Sequence, residues 1–150
     1  MASNTQLGEA GKARYNGIPD PTITYTGRSG TQRTLSVFTT FKKKPMADVA
    51  VSEGNDGERQ QSRSRNDRIQ ITFSAKPVGT TSADALAICE DLPKINTLAT
   101  IACTGDSQAK TPTGGCTVID DCDQDYTPDG EAVINFTVTN WIGKVFVAQT

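Results

Sequence analysis

Ile69, Ile71 and Phe73 alternate with Arg68, Gln70, Thr72 and Ser74 in a strict two-residue period. That is the signature of a strand with one face in a core and the other in water. The same period marks Thr22 to Thr26 and Arg33 to Phe41, joined by a turn through Gly27, Arg28, Ser29 and Gly30, with Leu35, Val37 and Phe41 on one parity. Lys42, Lys43, Lys44 and Pro45 are expected to break this run, and Ala47, Val49 and Val51 resume it. Asn55, Asp56 and Gly57 predict a hairpin turn, since these residues tolerate positive φ. The wholly polar stretch from Glu58 to Asp67 is expected as a solvated limb or a loop.

Thr97 to Cys103 and Gly115 to Tyr126 predict two further strands around a polar loop, and Glu131 to Ile142 predicts another, entered through Thr127, Pro128, Asp129 and Gly130. Val145 to Ala148 is expected to finish the sheet. A single segment has helical period. Thr81 or Ser82 is placed to cap it, Asp84 puts negative charge in its first turn, and Ala85, Ile88, Cys89 and Leu92 form one stripe before Pro93. Leu35, Val37, Val49, Val51, Ile69, Ile71, Phe73, Ile88, Leu92, Val118, Ile134, Phe136 and Val138 make up the predicted core.

The pattern predicts a mainly β fold: an antiparallel β-sandwich or barrel with one packed α-helix at about residues 81–92. Residues 1–20, which carry Gly8, Gly11, Gly17 and Pro19, read as an extended N-terminal arm, and 21–150 as a single β-rich domain. Met1 to Asn16 has no apolar stretch of the secretory kind, and no apolar run nears the roughly 18 residues of a membrane span. A soluble chain with no membrane partner is the expectation.

Composition narrows the chemistry. The 150 residues include no histidine, which excludes Ser-His-Asp and Cys-His catalysis and every His-bearing zinc site. No phosphate-binding or nucleophile-elbow motif is present, so no catalytic residue, no cofactor and no enzymatic activity are expected. Net charge is −2, but residues 1–76 sum to +5 and residues 77–150 to −7. Such a division suits a subunit whose positive surface meets the negative surface of the next copy. Lys42 to Lys44 and Arg59, Arg63, Arg65 and Arg68 are basic, yet no aromatic residue lies between Phe41 and Phe73. A base-stacking platform and sequence-specific nucleic-acid binding are therefore not expected.

Asp121, Asp123 and Asp125 have the spacing of the first three ligands of a calcium loop. Tyr126 stands where that loop needs glycine and Ala132 where it needs a bidentate Glu, so a solvated acidic edge is the favoured reading. Cys89, Cys103, Cys116 and Cys122 lack zinc spacing. If the strands flanking the polar loop pair as a hairpin, Cys103 and Cys116 are the best candidates for a disulfide; four reduced thiols filling small apolar sites is the alternative. Asn135-Phe136-Thr137 matches a glycosylation sequon but falls in mid-strand.

Taken together, the glycine-bearing arm, the hairpin through Asn55-Asp56-Gly57, the strand Arg68 to Ala75, the mid-chain helix and the terminal hairpin turning at Asp129-Gly130 resemble small tail and tail-tube proteins of tailed bacteriophages. The resemblance implies a structural virion protein, made in the host cytoplasm, that self-assembles into rings or stacked tubes with other virion proteins. The four cysteines depart from that pattern and leave a capsid decoration protein open. A carbohydrate-binding or adhesive β-sandwich is the competing class, and it would use Tyr15, Tyr25, Tyr126 and Trp141 as exposed aromatics.

Overall fold

The computed structural model describes residues 21–53, 59–126 and 132–146. In chain order the elements are β1 (Thr22–Thr26), β2 (Gln32–Leu35), β3 (Phe38–Glu53), β4 (Arg59–Ala75), α1 (Ser82–Glu90), β5 (Leu98–Ala102), β6 (Cys116–Asp125) and β7 (Val133–Trp141). All seven strands belong to one antiparallel sheet in the order β2-β1-β5-β6-β7-β4-β3. The expected arm lies outside the described residues.

This sheet curls. β2 and β3 are its opposite edges, which would stand about 29 Å apart if it were flat. Yet only Ser36 and Val37 separate Leu35 from Phe38, a link that reaches at most about 11 Å. The Lys76 amide donates to the Val37 carbonyl at 2.8 Å, tying the link to the end of β4. Across the interior, the Tyr25 ring on β1 lies 5.4 Å from that of Phe136 on β7, although two strands intervene in the sheet. One curled sheet wraps one core, rather than two stacked sheets enclosing it.

The concave face carries Ile23, Tyr25, Leu35, Ile69, Ile71, Phe73, Ile101, Ile119, Ile134, Phe136 and Val138, with Phe38, Phe41, Ile88 and Leu92 packed against them. Helix α1 starts where the pattern placed it: Thr81 caps it by accepting from the Asp84 amide, and Cys89 is its buried residue. Asp91 closes it and is itself buried. Its carboxylate accepts from the Ser29 amide (2.9 Å), the Ser29 hydroxyl (2.8 Å) and Arg33 Nε (2.9 Å), locking the β1–β2 turn to the end of the helix. A Cβ on Gly27 would fall 2.3 Å from Asp91 Oδ2, so only glycine fits beside this carboxylate.

These donors, led by the Ser29 amide and then Arg33, push the Asp91 carboxyl down to about 2. Its contribution to stability is complete above the ordinary aspartate value of about 3.9 and is lost as pH falls towards 2. Acid titration of unfolding should therefore show a steeper loss below pH 4 in the native chain than in Asp91→Asn.

The loop between β5 and β6 seats itself through a buried polar chain. Thr117 Oγ1 donates to Asn140 Oδ1 at 2.5 Å, and Asn140 Nδ2 donates to the carbonyls of Gln108 (3.2 Å) and Lys110 (3.0 Å). Thr111 hydroxyl meets Thr117 hydroxyl at 2.6 Å, and the Thr111 amide donates to the Ile101 carbonyl. Asn140 is 1% exposed. An Asn140→Leu variant leaves Thr117 and two carbonyls without this partner, so a loss of about 1–3 kcal/mol is expected in chemical denaturation.

Several expectations give way. The Lys42–Pro45 run does not interrupt β3, because β3 is an edge strand: lysines guard an open edge, and proline costs no ladder bond on the solvent side. The predicted strand Arg33 to Phe41 is instead cut at Ser36–Val37, where the chain crosses between edges, and Val37 is exposed. Val49 and Val51 are exposed as well, because they lie beyond the body of the sheet. Val145 and Phe146 form no strand, and residues 147–148 lie outside the described ones.

Candidate assembly surfaces

β4 pairs with β7 only from Arg68 to Ala75, yet its pairing with β3 continues to Glu53–Arg59. The rest is a two-stranded ribbon projecting about 30 Å beyond the body at the usual rise per residue. The polar stretch expected as a solvated limb or a loop is strand from Arg59 on, interrupted by register shifts.

The base of the ribbon is built. At the register shift between Met46 and Asp48, Asn66 adopts φ 58, and its side-chain amide donates to Asp48 Oδ2 at 2.7 Å. Arg68 Nη1 bonds Asp48 Oδ1 (3.3 Å) and the Asn66 carbonyl (3.0 Å), while its guanidinium lies 5.4 Å from the centroid of the Trp141 ring. The hydrogen bonds from Asn66 and then Arg68 hold the Asp48 carboxyl below the usual aspartate range. Such a bulge fixes the angle at which a strand pair leaves a sheet. In Asp48→Ala, backbone amides of the ribbon should exchange faster while those of Ile69 to Ala75 keep their protection.

Beyond the bulge the register sets Val49 opposite Ser64 and Val51 opposite Ser62 on one face, and Asp48 opposite Arg65 and Ala50 opposite Arg63 on the other. Ala47 to Val51 are exposed without a break, with Val49 at 61% and Val51 at 40%. On the first face the described side chains, Val49, Val51 and Ser64, are uncharged. Of the basic residues named from sequence, Arg65 is exposed, Arg68 is bound at the ribbon base and Lys43 is held by Asp106 and Gln108.

A second apolar surface lies at the other end of β4. Lys76, Pro77 and Val78, which follow that strand, join Ala85, Leu86 and Cys89 of α1, Tyr126 after β6 and Ala132 before β7 around an open groove of about 610 Å³. Val78, Leu86 and Tyr126 are exposed in it, Tyr126 at 64%. The sequence pattern missed this groove because Leu86 falls off the helical stripe and Val78 stands alone in a loop.

The convex face of the sheet is polar and sorts its charges by strand. Lys42 and Lys44 stand exposed on β3; Asp121, Asp123 and Asp125 stand exposed on β6, with β4 and β7 between. Asn135 Nδ2 donates to Asp123 Oδ1 (2.7 Å) and Asp125 Oδ2 (2.9 Å), while Asp121 accepts from the Cys122 amide. Among the described residues no cluster of three or more cysteine or acidic side chains is arranged to hold a metal.

All four cysteines are free thiols. Cys103 and Cys116 are not bridged: β5 and β6 pair with Leu98 opposite Val118 and Ala99 opposite Thr117. Extending that register sets Cys116 opposite Thr100, three residues and about 10 Å from Cys103 along the strand. Burial, with Asp123 and Asp121 nearby, pushes the Cys122 thiol up to about 12. Burial also raises the Cys116 thiol, but Asp121 and Asp123 stand beside Cys122 alone, so Cys122 should react with a maleimide at pH 7 more slowly than Cys116; peptide mass mapping reads the order.

Of the aromatics that the competing sugar-binding reading would use, the three described ones do not share a surface. Tyr25 is in the core, with its hydroxyl pushed up by burial; Trp141 is half-buried beneath Arg68; Tyr15 lies outside the described residues. Among the described residues no helix is long and apolar enough to cross a membrane.

No family model matches the chain, and no curated protein matches it in sequence. A solved structure does match in fold. It is a chain from the tail of an empty gene transfer agent (GTA) particle, computed with helical refinement and C6 symmetry. The likeness covers 91% of this chain and 100% of the tail chain, at a TM-score of 0.52 and 14% identity. The fold of the described residues is thus one found in an assembled tail of C6 symmetry.

Proposed function

We propose that this chain is a structural subunit of a phage-like tail, working by assembly with copies of itself into rings or tubes. The observation that carries this reading is the β3–β4 ribbon. An isolated two-stranded ribbon is marginally stable in water, and this one, exposed on both faces from Ala47 to Val51, buries neither face of that stretch against its own body. Hydrogen bonds among Asp48, Asn66 and Arg68 at its base suit a ribbon held outward for a contact with another molecule. The fold shared with a six-fold tail chain supports the same reading, as does the separation of Lys42 and Lys44 from the acidic residues of β6. Function here is mechanical, with no catalytic residue or cofactor.

Sedimentation velocity across a concentration series tests it. Species much larger than the 16.0 kDa protomer should grow with concentration. A single protomer-sized boundary throughout would count against the proposal.

A further inference from the structure

The ribbon and the groove lie at opposite ends of the same strand. Arg59 opens β4 within the ribbon, and Lys76, the residue after the last one of β4, lines the groove. Seventeen residues of strand separate them, which is about 55 Å. No molecule can fold its own ribbon into its own groove while β4 stays intact. A ribbon seated in such a groove therefore belongs to a different molecule from the groove.

The geometry points to a second copy of this chain: the ribbon of one copy seats its Val49 and Val51 face in the groove of the next, against Val78, Leu86 and Tyr126. This rests on the assembly reading above and names its contact.

Three observations favour that occupant. The two surfaces are alike in chemistry. The ribbon face sets Val49 and Val51 beside Ser64 and Ser62, and the groove combines Pro77, Val78 and Leu86 with the hydroxyl residues Thr80, Thr81 and Ser82. Among the described side chains, Val49, Val51 and Ser64 on the ribbon face are uncharged and Lys76 is the one charged residue lining the groove, so neither centre demands a counter-charge. Finally, two complementary surfaces at opposite ends make a heterologous contact, which repeats from copy to copy and builds rings or open helical arrays. The matching fold occurs in such a repeating array.

Two single variants and their mixture provide the test. Val49→Glu puts a charge on the exposed ribbon, and Leu86→Glu puts one on the exposed groove wall. Both sites are solvent-facing, so each protein should keep the native circular dichroism spectrum. Each variant alone should remain a monomer in sedimentation velocity at concentrations where the native chain forms large species. Mixed in equal amounts they should form dimers and stop there, because Val49→Glu retains a sound groove and Leu86→Glu a sound ribbon.

Native-like assembly of either single variant would overturn the ribbon-in-groove contact while leaving the assembly proposal standing. Two monomeric variants whose mixture stays monomeric would also overturn it, since then ribbon and groove do not complement each other. A native chain that never assembles would overturn both proposals.

Discussion

A Phe73→Ala variant should lose about 3–5 kcal/mol of unfolding free energy, the usual cost of removing a buried aromatic ring and leaving its cavity. Phe73 is the hub of the aromatic core. Its ring stacks on Phe38 at 4.8 Å, Phe136 at 5.1 Å and Phe41 at 6.0 Å, joining the edge strand β3 through β4 to β7. Loss of that ring removes contacts on both sides of β4 at once, so relaxation of neighbouring side chains can fill little of the gap. Urea denaturation with an unchanged slope and a lowered midpoint would be the expected record. Val49→Ala, on the exposed ribbon, should change stability by no more than about 0.5 kcal/mol. Equal tolerance at the two positions would mean that the concave face is assigned wrongly.

The second large effect concerns assembly and leaves folding nearly untouched. Replacing residues 48–66 with an Asn-Gly turn removes the ribbon while keeping Met46 opposite Arg68, the last pair before the bulge. The body should still fold, because β4 from Arg68 onward keeps its pairing with β7 and all of its core contacts. Assembly should disappear. Thermal melting measures the first outcome and sedimentation velocity the second. A shortened chain that assembles as well as the native one would show that the ribbon has no part in holding copies together.

Much of the fold was legible because burial on one face writes itself into alternation. Ile69 to Ala75 and Ile134 to Val138 sit where their parity put them, and Thr81 caps α1 as its hydroxyl suggested. Where burial does not shape the sequence, the pattern falls silent. Arg59 to Asp67 has no apolar face to bury, so its strand pairing left no periodic trace. Val37, Val49 and Val51 kept the expected period but lie on the crossing link or the ribbon, where there is no core to meet.

Closure of the sheet was equally invisible, since it depends on strands distant in sequence. That is why Tyr25, an exposed candidate by composition, turns out to pack against Phe136. The cysteine pairing failed for a related reason. The β5–β6 loop folds back through Thr111 and Ala109 instead of forming a plain hairpin, and the register slips with it. Of the assembly surfaces, sequence supplied the charge separation and the hairpin. The groove needed three segments to converge.

Electron microscopy of the purified full-length chain, in negative stain and at high protein concentration, tests the central claim most directly. Closed rings or stacked tubes of uniform diameter are the predicted result. Dispersed particles of protomer size, unchanged across concentration and salt, would contradict it.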